Sequence, residues 1–212
     1  MNFDKNKYKV YTWKNWMVLH YILNPGLAFN ELILGQRIPK VSLEDKTSEK
    51  PFLERSYVPC PHCETLHDGR TWSTQNGTAF RNWFGLYCPN CREIIPCLMN
   101  LTTRLVLTIT FPVWGWFKNS LKQRWLEKQP GRYNEIEMDQ IENPFEGRGW
   151  IKEGLGWGIL TSILLLIFFP IVGIDILSKQ FVVTVLSLVF ISGPLFGFIM
   201  KLFFEQTGSK AA

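Results

Sequence analysis

Two similar cysteine pairs carry the clearest chemistry in this sequence of 212 residues. Cys60 and Cys63 form one C-x-x-C pair, and Cys88 and Cys91 form a second pair beyond residues 64–87. Each C-x-x-C turn presents two sulfurs to one point, and Zn²⁺ prefers soft ligands arranged in a tetrahedron. The spacing therefore predicts one structural zinc ion, whose four thiolates close the coordination shell and leave no position for a catalytic water.

Both pairs share the sequence Cys-Pro-x-Cys, which resembles the knuckles of the zinc-ribbon superfamily. In that superfamily two knuckles on a β-hairpin hold one structural zinc, so the resemblance implies the same role for the region 51–96. The sequence departs from the family pattern where Glu64 and Arg92 replace the glycine that often follows each knuckle. The departure concerns the knuckle geometry rather than the ligand set.

The segment between the pairs predicts a β-hairpin. Asn76-Gly77 is a strong turn signal, and residues 70–73 and 79–87 are the expected flanking strands. Aromatic residues in and between these strands are expected to cover the metal and form a small core. They are Trp72, Phe80, Trp83, Phe84 and Tyr87.

The first pair, Cys-Pro-His-Cys, also resembles the redox motif of thioredoxin-fold periplasmic thiol oxidants. That resemblance implies Cys60 as the nucleophile, His62 as its activator and Cys63 as the resolving thiol. The thioredoxin motif needs a helix after the cysteines, whereas residues 64–69 have a turn-forming sequence, and the second pair has no role in this scheme. We therefore favour zinc. His62 and His67 are alternative ligands, but we favour a position beside the ligands or in solvent for both.

The C-terminal part of the chain contains two apolar segments, 154–174 and 180–200, without a charged residue. At a rise of about 1.5 Å per residue, each is long enough to cross the roughly 30 Å hydrocarbon core of a bilayer. Only residues 175–179 separate them, so they predict a transmembrane helical hairpin within 154–203. Glycines four residues apart in both segments predict close helix packing. They are Gly154, Gly158, Gly193 and Gly197.

The region 97–130 combines an apolar segment with a basic one. Residues 97–117 are apolar except for several threonines and Arg104, whose charge would cost about 3 kcal/mol at the centre of a bilayer. We therefore favour an interfacial helix or one that dips into the membrane and returns over the alternative of a third span, with Cys97 as a small buried residue at its start. The basic amphipathic extension predicts a surface for anionic lipid. Its basic residues are Lys118, Lys122, Arg124 and Lys128.

The N-terminal region 1–50 predicts a helical hairpin. Residues 13–23 and 25–34 have helical patterns, separated by Asn24-Pro25 and ended by Gly35. We expect no regular element in residues 1–12 and a short strand over 38–43. Downstream, we expect an acidic linker over 131–153, with Glu135, Glu137, Asp139 and Glu142, and a tail over 204–212.

The expected fold class is a mostly α membrane protein with a small β zinc-ribbon module. The stretch 118–153 holds seven basic residues, whereas the loop of the predicted hairpin holds only Lys179. By the positive-inside rule, that stretch and the zinc module belong on the cytoplasmic side if 97–117 does not cross. A cytoplasmic module would also keep its thiols reduced.

The predicted function is a membrane-anchored binding or scaffold protein that recruits an unidentified protein partner, and a homo-oligomer is compatible with the sequence. No catalytic constellation is evident, and neither apolar segment contains Asp, Glu, His or Lys for intramembrane acid–base chemistry. The alternatives are the thiol oxidoreductase and, less favoured, a nucleic-acid-binding ribbon with alternating basic and aromatic residues. Those residues are Arg70, Trp72, Arg81, Trp83 and Arg92.

Overall fold

A computed structural model describes residues 3–134, 136, 143–171, 173 and 175–205. Within these residues the chain forms two compact units, a first unit up to residue 136 and a second unit from residue 143 onward. The acidic residues that define the predicted linker and most of the predicted tail lie outside the described residues. They are Glu135, Glu137, Asp139, Glu142 and residues 206–212.

The first unit contains two small antiparallel sheets. The larger sheet has four strands in sequential order, each paired with its neighbour in the chain. These strands are β1 Tyr8–Tyr11, β2 Ser42–Asp45, β3 Ser56–Pro59 and β4 Leu66–Asp68. The smaller sheet is the hairpin of β5 Leu86–Tyr87 and β6 Ile94–Ile95. One C-x-x-C turn connects β3 to β4 and the other connects β5 to β6.

Helices flank these sheets in the chain. The N-terminal helices are α1 Trp16–Leu23 and α2 Gly26–Phe29, and α2 continues into a π-helical turn over Asn30–Leu34. After the sheets come α3 Leu101–Ile109, α4 Phe111–Trp114 and α5 Lys118–Glu127. Short 3₁₀ turns lie at Phe52–Arg55, Gly69–Trp72, Gly115–Phe117 and Pro130–Arg132.

Helices are present at both predicted N-terminal positions, and Gly35 ends the second in the left-handed conformation with φ of 67°. Two other expectations for this region are wrong. Residues Tyr8–Tyr11 form the edge strand β1, although the sequence predicted no element there. The strand expected over 38–43 instead occupies Ser42–Asp45, where it pairs with β1 and β3.

The prediction of a long β-hairpin between the cysteine pairs is also wrong. Residues Gly69–Trp72 form a 3₁₀ turn, and only Leu86–Tyr87 of the second expected strand is extended and paired. Side chains bind the main chain here in place of a strand partner. The Thr78 hydroxyl donates to the carbonyl of Thr71 at 2.7 Å, and the Asn82 amide donates to the carbonyl of Thr78 at 2.7 Å. Such local bonds compete with strand pairing.

A buried polar network connects the N-terminal helices to α3. Glu31 is fully buried and forms an ion pair with Arg37, and the backbone amide of Asn100 donates to its other carboxylate oxygen at 2.8 Å. The Asn100 side chain donates to the carbonyls of Tyr21 and Asn24, each at 2.7 Å. Buried charges are tolerated only when paired and hydrogen-bonded in this way. The network therefore fixes where α3 begins.

Replacing Glu31 by glutamine removes the charge that balances Arg37, whose side chain is only 8% exposed. We expect the variant E31Q to lose about 3–5 kcal/mol of unfolding free energy, because a buried guanidinium is left without its counter-ion. Denaturant unfolding followed by tryptophan fluorescence would measure the loss. The matched control is E54Q, which breaks the exposed Lys50–Glu54 pair and should cost below about 1 kcal/mol. Equal losses in the two variants would contradict the network's role.

The second unit contains two helices that are long and apolar enough to cross a membrane. The first is α6, Gly149–Ile171, and the second spans Lys179–Glu205 as α7 Lys179–Ser187, a π-helical turn Leu188–Ser192 and α8 Gly193–Glu205. Helix α6 begins five residues before the predicted position 154, and α8 extends five residues beyond 200. The helical segments are therefore longer than their uncharged cores.

The four glycines named from their spacing lie where α6 packs against the helix formed by α7 and α8. All four are buried. A methyl group on Gly158 would lie 2.6 Å from the Leu188 carbonyl oxygen, and one on Gly193 would lie 2.5 Å from that of Gly154. Because backbone atoms lie opposite each glycine, only glycine permits this approach of the two helices.

Replacing Gly158 by alanine should destabilise the helix pair by about 1–3 kcal/mol, because the opposing atom is backbone and cannot move away alone. The measurement is retention of helical structure as a denaturing detergent is titrated into the purified protein. Gly156 lies two residues away on α6 and has nothing within 4 Å of a built methyl group, so G156A is the matched control. The role given to Gly158 would be contradicted if G156A and G158A lost helical structure at the same detergent concentration.

Candidate metal centre

The four predicted cysteine ligands lie together in the first unit. Their sulfur atoms are all within 4.8 Å of one another. The Cys60 and Cys91 sulfurs are 3.7 Å apart, as are those of Cys63 and Cys88. Four sulfurs at about 2.3 Å from a tetrahedral zinc would be separated by about 3.8 Å. The four-cysteine centre therefore has the dimensions of a tetrahedral thiolate site.

Each C-x-x-C turn has the same backbone arrangement. The amide of the first cysteine, Cys60 or Cys88, donates to the carbonyl of the fifth residue after it, at 3.0 and 2.9 Å respectively. The amides of Glu64 and Arg92 donate back to the carbonyls of Cys60 and Cys88, at 3.0 and 2.9 Å. These bonds direct both sulfurs of each turn to one side. The two turns are thus equivalent half-sites.

Glu64 and Arg92 occupy the left-handed region of backbone conformation, with φ of 58° and 66°. This is the conformation that glycine adopts without cost, and a residue with a side chain pays about 1–2 kcal/mol to adopt it. The knuckle geometry is therefore retained although glycine is absent from both positions. Closure of the turns compensates for this local strain.

The four-cysteine centre lies in the hydrophobic core. Cys60 and Cys88 are fully buried and pack with Val58, Leu86 and Ile95, whereas the second cysteine of each pair is partly exposed. Trp72 and Cys97 pack against the same cluster. Residues from both sheets meet here, so the centre is a structural junction of the first unit.

His67 contacts the centre without belonging to the four-cysteine set, which is one of the two positions favoured for it from the sequence. Its Nε2 atom lies 3.1 Å from the Cys88 sulfur, and its ring packs edge-on against Trp72. Burial lowers the pKa of His67, so its neutral form is favoured, and an N–H directed at sulfur would offset part of the negative charge of four thiolates. His62, in contrast, is exposed and lies 3.3 Å from the Ile94 carbonyl.

The thiols differ in their electrostatic surroundings. Burial raises the pKa of Cys60 and of Cys88. The Thr65 hydroxyl, 3.3 Å from the Cys63 sulfur, lowers the pKa of Cys63 to about 5. The Asn90 amide donates to that hydroxyl at 2.9 Å, so the second half-site supports the first.

These surroundings do not match the redox scheme. It leaves the second pair, Cys88 and Cys91, without a role, although all four sulfurs lie within 4.8 Å of one another. It also requires a helix after Cys63 to lower the pKa of the nucleophile, and the chain continues instead into the strand Leu66–Asp68. The arrangement suits ligation of a metal ion by four sulfurs better than electron transfer through one pair.

The other predicted site residues lie on separate elements. The four basic residues Lys118, Lys122, Arg124 and Lys128 are exposed on α5 and at its end. This helix is fixed to the first unit by Trp125, which is buried, donates to the Arg81 carbonyl at 2.6 Å and packs on Phe84. The four glycines belong to the second unit.

Three of the five residues that suggested nucleic-acid binding make side-chain contacts within the first unit, whereas Arg81 and Arg92 are exposed. Arg70 forms an ion pair with Asp68 at 2.8 Å, and Trp72 packs against the core. The indole of Trp83 donates to the Leu32 carbonyl at 3.1 Å. These aromatic rings therefore serve packing, which leaves a weaker basis for stacking on bases.

A family model described as a domain of unknown function (DUF8250) matches residues 11–107. The matched range contains the N-terminal helices, both C-x-x-C pairs and most of α3, and it ends before α5 and the second unit. No curated protein and no solved structure matches the chain. The buried Glu31–Asn100 network and the four-cysteine centre both fall inside this range.

Arg92 offers a direct test of the knuckle geometry. Glycine at this position should leave stability unchanged or raise it by up to about 1 kcal/mol, because the left-handed conformation costs glycine nothing. Valine should lower stability by more than about 1 kcal/mol, since a β-branched residue tolerates this conformation poorly. Thermal unfolding of R92G and R92V followed by tryptophan fluorescence gives the comparison. Equal stabilities would show that Arg92 is not held in the left-handed conformation.

Proposed function

We propose that the chain is a membrane-anchored scaffold whose first unit is organised around one structural zinc and recruits a protein partner. The observation that carries this proposal is the convergence of four sulfurs, at tetrahedral spacing, in the core of the first unit. The zinc-ribbon likeness of the two knuckles supports the identity of the ion. Four thiolates leave no open position on it, so its role is structural.

The second unit supplies the anchor in this proposal. Helix α6 buries only Gly154, Gly158 and Ser162 on its described surface and exposes large apolar side chains elsewhere, such as Phe168 at 59%. On the second helix Phe190 and Ile191 are exposed at 66% and 65%. A helix pair with small residues inside and large apolar residues outside suits a lipid environment.

The charge distribution supports a cytoplasmic first unit. Seven basic residues lie in 118–153, while the connection between the two apolar helices holds only Lys179. The positive-inside rule then directs the stretch 118–153 toward the cytoplasm. The exposed basic residues of α5 would add attraction to anionic lipid, of order 1 kcal/mol per residue near the surface.

Metal analysis tests the central claim. The purified full-length protein should contain one zinc per chain, measured by elemental analysis against protein concentration. C88S should lose the zinc and the near-ultraviolet dichroism of the first unit, because removing one thiolate opens the site and leaves the core unsatisfied. C97S is the matched control, since Cys97 packs beside the centre but lies outside the four-cysteine set, and it should keep the zinc.

The same variants test recruitment of a partner. Chemical cross-linking in native membranes should recover a shared set of proteins with wild type and C97S that is lost with C88S. Protein that is free of metal and cycles between a Cys60–Cys63 disulfide and dithiol would refute the scaffold and establish the oxidoreductase. Salt-dependent binding of RNA or DNA by the zinc-loaded protein would favour the nucleic-acid alternative.

A further inference from the structure

The chain between Asn100 and Trp125 leaves the body of the first unit and returns to it. Asn100 is fully buried and caps α3 through the amide of Thr102, while Trp125 is buried against Phe84 at the end of α5. Between these two anchors only Thr103 is buried. The intervening segment therefore extends from a fixed base without being covered by the first unit.

The exposed part has an apolar end, residues 105–117, which we call the tip. Its large side chains are among the most exposed of the first unit: Trp116 at 87%, Val113 at 76%, Ile109 at 69% and Phe117 at 63%. Soluble monomers rarely leave such a contiguous apolar surface open to water. A surface of this kind requires an apolar occupant.

The polar side chains of the tip are bonded within the segment itself. Each of two threonine hydroxyls and two indole N–H groups donates to a main-chain carbonyl four or seven residues away, at 2.7 to 3.1 Å. These bonds are Thr108 to Arg104, Thr110 to Val106, Trp114 to Leu107 and Trp116 to Pro112. Polar groups can enter hydrocarbon only when they are satisfied internally. The polar side chains of the tip meet that condition. A surface that binds a polar protein partner would not need such internal hydrogen bonds.

The charged residues on either side of the tip suit binding to an anionic surface. The tip carries no charged residue, and residues 94–126 contain no Asp or Glu. Exposed Arg104 precedes the tip and exposed Lys118 follows it, with Lys122 and Arg124 further along α5. Long basic side chains on either side of an apolar segment can reach the headgroups while the segment itself enters the acyl region.

We propose that the tip inserts into one leaflet of an anionic bilayer, with Arg104 and Lys118 at the headgroups. Thirteen residues at about 1.5 Å each cover some 20 Å even when fully helical, which is too short to cross. The helix is also interrupted at Thr110, so the segment dips and returns. This inference rests on the proposed function only in requiring a bilayer next to the first unit.

The test uses the full-length protein in vesicles of phosphatidylcholine and phosphatidylserine. A lipid-soluble carbene precursor is photolysed in the bilayer, and labelled peptides are mapped by mass spectrometry. We expect label in residues 105–117 and in α6 and α8. In V113D/W116D the label in the tip should fall about tenfold, because a carboxylate in hydrocarbon is strongly disfavoured. The matched control is W13D, which alters an exposed tryptophan elsewhere in the first unit and should leave the tip labelled.

The outcomes separate this inference from the proposed function. Label in α6 and α8 without label in the tip overturns insertion and leaves the anchor intact. Label in the tip without label in α6 and α8 supports insertion and overturns the helical anchor. An unlabelled tip that cross-links to the tip of a second chain overturns insertion in favour of self-association. Equal labelling without phosphatidylserine overturns the role given to anionic lipid. Unchanged zinc content in V113D/W116D verifies that the variant is folded.

Discussion

The first unit depends on holding four sulfurs in one small volume. Its sheets are too small to provide a large core, since β5 and β6 have two residues each. The buried cluster around Cys60 and Cys88 is correspondingly small, and it joins residues of both sheets. Four thiolates placed this close repel one another unless a cation lies between them. A bound metal would convert that repulsion into the main link between two otherwise weak hairpins.

The same constraint explains the polar character of the surroundings. A centre of four thiolates and one divalent cation keeps a net negative charge. His67 and Thr65 carry groups able to donate hydrogen bonds to its sulfurs, and Asn90 donates to the Thr65 hydroxyl. The strained backbone at Glu64 and Arg92 is tolerated because the turns are needed to direct the sulfurs. Local strain and outer hydrogen bonds are thus two consequences of one ligand geometry.

Sequence reasoning succeeded where spacing alone determines structure. The spacing of the cysteines predicted that the four sulfurs lie together. The length of the apolar segments predicted both long helices, and the spacing of the glycines predicted where those helices meet. It failed where side chains bind the main chain over short distances. Thr78 and Asn82 satisfy the backbone that was expected to form a strand, and no periodic pattern signals such bonds. A position beside the ligands or in solvent was expected for His67, and the choice between the two depends on the register between β3 and β4, which spacing does not determine.

The exposed surfaces of the two units are compatible with the scaffold proposed above. Four thiolates would close the coordination shell of a bound zinc, and the apolar segments 154–174 and 180–200 contain no Asp, Glu, His or Lys. What remains available to other molecules is surface: the exposed basic face of α5, the apolar tip before it, and the outer sides of α6 and α8. All three of these surfaces suit lipid. If the first unit is held against a membrane as proposed, its other faces would have a fixed orientation, which a recruiting scaffold requires.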